Sequence, residues 1–173
     1  YYSRISEGVV EKHIDEITGE MLYEKLHEGK EGDSYVTSER EFEGYDLDET
    51  KAPTNKEGRF QVDLIEVKYY YKRRASVRVQ YIDTISKEKI IDDVVIKGCE
   101  KDTYVAEQKE FEGCKLVKKP LNAEGEMEVT IDNDGMYETE ILVKFYYIRI
   151  SEGVIERHID IVSGKVLSET KHE

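Results

Sequence analysis

At 173 residues, with 38% hydrophobic and 38% charged residues, the chain has the composition of one or two small globular units and not of a disordered segment. A formal net charge of −13 opposes phosphate backbones and anionic lipid headgroups, so nucleic acid is excluded as a partner. No run is long and apolar enough to enter a membrane, and no secretory signal precedes Tyr1.

The chain opens on a stretch that returns. Tyr1 to Asp15 reads YYSRISEGVVEKHID, and Tyr146 to Asp160 reads YYIRISEGVIERHID. A weaker copy, Val77 to Asp83 (VRVQYID), lies between them. Copies that recur at alternating shorter and longer spacings mark a slice of a tandem array. Tyr1 to Gly8 reads as the last strand of a preceding unit and a joint. Val9 to Asp15 and Glu20 to His27 read as a hairpin about the turn Thr18-Gly19, which places His13 opposite Glu24. Ser163-Gly164 keeps that turn in the third copy, whereas Ser86-Lys87 stands in the middle one. Next comes GKEGDSYVTSEREFEGYDL (Gly29 to Leu47), matched by GCEKDTYVAEQKEFEGCKL (Gly98 to Leu116). The apolar spacing from Tyr35 to Phe42 predicts a short helix there. Pro53 to Gly58 and Pro120 to Gly125 are turns bounded by Pro and Gly, followed by closing strands that end at Tyr71 and Tyr147. The second closing region is nine residues longer, with Asp132-Asn133-Asp134-Gly135 as a hairpin tip. Thirteen Tyr against four Phe and no Trp suit strands with one wet face. The fold expected is mainly β with a minor α part. The expected boundaries are 1–7 for the end of a preceding repeat, 8–73 and 74–149 for two full repeats, and 150–173 for the opening hairpin of a third.

The order of hairpin, G-x-x-G-D-x-Y, F-x-G-Y, P-x-N-x-x-G and V-K-Y-Y-Y resembles the MucBP (mucin-binding protein) repeats of Gram-positive surface adhesins. Those elements stand here as Gly29/Gly32/Asp33/Tyr35, Phe42/Gly44/Tyr45, Pro53/Asn55/Gly58 and Val67 to Tyr71. The second unit departs at Lys101 and Cys114, where the first has Gly32 and Tyr45. The resemblance implies elongated arrays of β-grasp-like modules, anchored to the cell wall outside the cell, some of which bind mucin glycoproteins. It implies no catalytic residues and no cofactor.

Cys99 and Cys114 replace Lys30 and Tyr45 together in one unit, as a disulfide requires; two buried thiols are the alternative. His13 beside a Glu reads as a surface pair, not a zinc ligand. Thr130 and Ile141 fall at the first and last ligand places of an EF-hand centred on Gly135, so no calcium loop is expected. No nucleophile, carboxylate dyad or phosphate loop stands in a catalytic context, so no enzyme is expected. Tyr69, Tyr71 and Tyr146 are the candidate ligand-binding residues, as sugar-stacking rings on the closing strands, although alternation along a strand turns about half of such rings into the core. Two functions follow: a monomeric module holding mucin or another host glycoprotein, or a stalk repeat that projects a distal binding domain. Because sialylated and sulfated glycans are themselves anionic, a module carrying −13 is expected to hold neutral sugars, protein or a bridging cation, or to bind nothing.

Overall fold

A computed structural model describes residues 5–151 and 153–172. The end of a preceding repeat expected over residues 1–7, and the joint Ser151-Glu152-Gly153, fall partly outside the described residues. Strands dominate, and the chain divides into two compact units. The first runs up to Val77 and includes 95–104 and 125–141; the second holds 78–94, 105–124 and the residues from Leu142 onward.

In the first unit, β1 (Val9–Asp15) and β2 (Met21–His27) form the expected hairpin. Its register differs by one residue from the two-residue-turn expectation: His13 faces Tyr23, and a bulge separates His13 from Ile14. The cause is Asp15, whose Oδ1 accepts the backbone N–H groups of Ile17 and Thr18 and widens the loop, with Gly19 at φ 74°. The short β3 (Ser34–Val36) follows, and no helix forms between Tyr35 and Phe42. That stretch is held extended by its own polar groups. The Thr37 N–H and hydroxyl both donate to the Lys56 carbonyl, and the Arg40 N–H donates to the Tyr71 hydroxyl. A helix would need those same backbone groups.

Then come β4 (Tyr45–Leu47), a 3-10 turn at Glu49–Lys51 capped by Asp48, and β5 (Glu57–Arg59), which pairs with β3. The long β6 runs from Ile65 to Asp83 with strict alternation between buried and less buried residues. Its first part lies parallel to β1, from Val9 beside Ile65 to Asp15 beside Tyr71, and β4 adds antiparallel. The core of the unit is Val9, Tyr35, Phe60, Val67, Tyr69 and Tyr71, with Leu22, Phe42 and Leu47 packed against it. Gly29 is set by this core: a Cβ there would fall 2.4 Å from the Phe60 ring. Gly29→Ala is expected to destabilise the first unit by about 1–3 kcal/mol through overpacking, and an unchanged urea midpoint would contradict that packing.

The second repeat reuses the same parts. The later residues of β6 take the place of β1, with Val77, Val79, Tyr81 and Asp83 at the positions of Val9, Glu11, His13 and Asp15. Lys87 adopts the left-handed φ of 64° that glycine supplies in the other two hairpins. The remaining strands are β7 (Val94–Cys99), β8 (Thr103–Val105), β9 (Cys114–Lys118), β10 (Glu124–Glu126), β11 (Thr130–Ile131), β12 (Tyr137–Glu138) and β13 (Glu140–Arg149). β7 pairs with β6, and β8 with β10. β9 pairs antiparallel with β13, Cys114 opposite Arg149 and Leu116 opposite Tyr147, as Tyr45 and Leu47 face Arg73 and Tyr71. β11 and β12 close the expected hairpin, whose tip is tied by Asp132 Oδ1 accepting from Asp134 N–H and Met136 N–H. In the second unit, Tyr81 stacks on Phe145 at 5.5 Å, with Phe111 edge-on to both Tyr81 and Tyr147. Finally β14 (Val154–Ile159) and β15 (Val166–His172) form a two-stranded sheet of their own, exposed at every residue.

Candidate functional site

The alternation of β1 turns Val9, Glu11, His13 and Asp15 to one face, and that face is buried. His13 is fully enclosed and lies flat against Tyr69, ring centroids 4.9 Å apart, instead of forming the expected surface pair. Its Nε2 is 2.9 Å from Glu11 Oε1, and its Nδ1 is 2.9 Å from the Tyr71 hydroxyl. That hydroxyl also accepts from the Arg40 N–H. The second oxygen of Glu11 is bonded to His27 Nε2 at 2.8 Å, so one carboxylate joins both strands of the hairpin. Burial raises the Glu11 pKa, but the hydrogen bonds with His13 and His27 outweigh it and hold the carboxyl below its usual value. With Glu11 2% exposed and His13 fully enclosed, this pair is shut off from solutes, and with the partly exposed His27 it acts as a fastener.

A second buried pair closes the hairpin's far end. Arg73 Nε donates to Asp15 Oδ2 at 3.0 Å, and the guanidinium lies 3.4 Å from the centre of the Tyr137 ring. Tyr45 donates its hydroxyl to the same Asp15 oxygen. Burial raises the Asp15 pKa, and bonds from Thr18, Arg73 and Ile17 more than reverse this.

A cleft beside the loop that carries Phe42 or Phe111 recurs at the same place in both repeats. In the first unit it measures about 760 Å³, between Glu39, Glu41, Glu43 and Arg74 on its rim and Phe42, Tyr45, Leu47 and Tyr71 inside. Its counterpart in the second unit measures about 340 Å³ and has Lys109, Glu110 and Lys115 around Phe111, Cys114, Leu116 and Tyr147. Both are open, so either admits an extended ligand without any lid.

Of the three candidate tyrosines, Tyr69 and Tyr71 are each only 1% exposed, whereas Tyr146 is 41% exposed. The first two are core: Tyr69 bonds Thr37 at 2.8 Å, and Tyr71 serves His13. They therefore offer no ring face to a sugar, and Tyr146 is left as the exposed member. The expected disulfide is absent, because Cys99 and Cys114 are both free thiols. Cys99 caps on Asp102 through its N–H and turns its thiol to Asp46, and burial with Asp46 pushes that thiol up to about 11. Cys114 stands on β9 opposite Arg149. The equivalent positions of the first repeat face different partners, Lys30 bridging to Ile5 and Tyr45 to Arg73. Two thiols are thus expected to alkylate without reduction, and melting is expected to be the same with and without dithiothreitol. A shift on reduction would contradict the free-thiol assignment. Among the described residues, no three His, Cys, Asp or Glu side chains are grouped to hold a metal ion, and no helix is long and apolar enough to cross a membrane.

The family model described as "MucBP domain" matches residues 9–72 and 76–141. The chain belongs to the MucBP domain family. Two Internalin J proteins of Listeria monocytogenes, from serotype 4b and serovar 1/2a, are each 32% identical over 124 residues, or 69% of this chain. The chain spans only 13% and 14% of the length of these relatives. Among solved structures, the crystal structure of Mub-RV is similar at 13% identity with a TM-score of 0.32, covering 83% of this chain and 99% of that one. The type 2 repeat of the mucus binding protein MUB from Lactobacillus reuteri follows at 13% identity and a TM-score of 0.26, covering 82% and 98%.

The residues that carry the MucBP resemblance build the module. Asn55 Nδ2 donates to the Glu66 carbonyl and its own carbonyl accepts from the Tyr35 hydroxyl, pinning the Pro53–Gly58 turn to β6. Gly58 leaves room for that hydroxyl, which a Cβ would meet at 3.0 Å. Asp33 caps the N–H of Lys30, as Asp102 caps that of Cys99. Gly44 takes φ 78° to turn the chain into β4.

Proposed function

We propose that this MucBP segment is a non-catalytic part of a bacterial cell-surface adhesin that holds mucin or another host glycoprotein. In the full-length protein it stands outside the cell, anchored to the wall, and acts as a monomeric module. The supporting observation is the recurrence of the open Phe42/Phe111 cleft at one place in both repeats, with a different charge at each. A fold-determined position with a variable lining suits contact with a heterogeneous ligand. In the first cleft, Glu39, Glu41, Glu43 and Asp46 outnumber Arg40 and Arg74, which disfavours sialylated or sulfated groups there and favours neutral sugar or polypeptide. Repetition then adds avidity without any single strong site.

The stalk reading has its own support: the family motif residues are engaged in the fold, so the motif specifies a module and not a binding surface. One substitution pair separates the two. Glu41 and Glu43 are exposed rim residues, so Glu41→Lys with Glu43→Lys is expected to leave melting unchanged and to alter affinity for immobilised mucin at least fivefold. Equal binding by the variant and the parent would remove the cleft from the proposal.

A further inference from the structure

The hairpin β14–β15 repeats β1–β2 down to its irregularities. Val154 faces His172 as Val9 faces His27, and the bulge between His158 and Ile159 falls where β1 has its own. Asp160 bonds the N–H groups of Val162 and Ser163 as Asp15 bonds those of Ile17 and Thr18. Glu156 again joins two histidines, His158 at 2.7 Å and His172 at 3.0 Å. The four residues that β1 buries, Val9, Glu11, His13 and Asp15, recur as Val154, Glu156, His158 and Asp160, while the outward Val10 and Lys12 drift to Ile155 and Arg157. What differs is cover. Glu11 and His13 are enclosed beneath β6, whereas Glu156 and His158 have side chains 51% and 61% exposed.

The closing strands of the two repeats are not equivalent as cover. In the first repeat, the Tyr71 hydroxyl takes the Arg40 N–H and lies 2.9 Å from His13 Nδ1, and Arg73 reaches Asp15. In the second repeat the closing-strand hydroxyl is already spent on a loop carbonyl: Tyr147 donates to Lys109 O at 2.6 Å. Phe145, which stands where the first repeat has Tyr69, has no hydroxyl. A second-kind segment laid on β14 therefore leaves the His158 Nδ1 buried without a hydroxyl partner, and an unpaired buried polar group is costly.

We propose that β14–β15 is a docking face for the closing segment of a repeat of the first kind. The occupant is a strand reading Tyr-x-Tyr-x-Arg, laid parallel to β14 with its loop, and a segment of the second kind is rejected. The two repeat kinds are then non-interchangeable, and the His–Tyr hydrogen bond sets their order.

The test extends the full chain after Glu173, which is equivalent to Glu28, with a copy of either Gly29–Arg74 or Gly98–Ile150. Amide hydrogen exchange is read across Ile155–Ile159. The first extension is expected to slow exchange at least a hundredfold relative to the unextended chain, and the second at least tenfold less. Introducing Glu156→Val with His158→Tyr, which copies Val79 and Tyr81, is expected to reverse that preference. Equal protection by both extensions, or no reversal in the double variant, would overturn the selectivity. No protection by the first extension would overturn the docking face itself. Protection already present in the unextended chain and growing with concentration would assign the face to a second copy instead.

Discussion

Glu11→Ala is expected to lower the stability of the first unit by about 3 kcal/mol, the range for removing one partner of a buried charged network. The substitution strips the acceptor from both His13 Nε2 and His27 Nε2, and His13 lies enclosed between rings where water does not reach it. For a unit of this size the loss corresponds to a melting shift of roughly 12–24 °C. Glu156→Ala makes the same chemical change in the exposed hairpin and is expected to leave melting unchanged. The pair of variants isolates burial from chemistry. Equal shifts would mean that the Glu–His bonds act the same way whether or not β6 covers them.

The pH dependence has the matching sign. Glu11 and Asp15 both have folded pKa values below their ordinary ones, so their stabilisation is complete above the unfolded carboxyl range near 4. It is lost as pH falls through the lower folded values. The contribution of these two carboxylates to the stability of the first unit is therefore expected to decline below about pH 4. In Glu11→Ala that decline is shallower, because one of the two groups is gone.

Arg73→Ala is the other large effect, expected to cost about 3–5 kcal/mol. Asp15 is fully buried and Arg73 is 5% exposed, so removing the guanidinium strands a carboxylate among Tyr45 and the hairpin backbone. Arg73→Lys is expected to recover less than half of the loss. An ammonium lacks the plane that lies on the Tyr137 ring and the fixed Nε–H that meets Asp15. Urea denaturation of the three proteins reads this order directly. The counterpart Arg149 also meets Asp83, at 2.7 Å, but its side chain is 72% exposed, and Arg149→Ala is expected to shift melting little.

Much of this fold is legible in the residues. The hairpins follow from alternation and from Thr-Gly or Ser-Gly turns, and the insertion hairpin from Asp-Gly, because local backbone chemistry decides them. Two features escaped for non-local reasons. The stretch after Tyr35 has helical spacing, but its N–H groups are claimed by Lys56 and Tyr71 far along the chain. The inward face of β1 reads Val-Glu-His-Asp, which looks wet, and is buried because each polar group finds a partner on β2 or β6. A signal for it existed inside the sequence. Between the first and third copies the inward residues stay fixed while the outward Val10 and Lys12 change, which is the mark of a face held by packing. The middle copy solves the same place with Val79 and Tyr81, so an apolar pair and a buried ionic network fill equivalent sites in one chain. The tyrosines of the closing strands misled for the same reason: alternation says that half point inward, and here Tyr69 and Tyr71 are the inward half while Tyr146 is not.

The most direct test of the adhesin reading is binding of the whole chain to immobilised mucin glycoprotein, before and after sialidase, at physiological salt. A chain of net charge −13 that recognises neutral sugar or polypeptide is expected to bind in both cases and more tightly once sialic acid is removed. Absence of binding on both surfaces would contradict the account and leave these repeats as stalk.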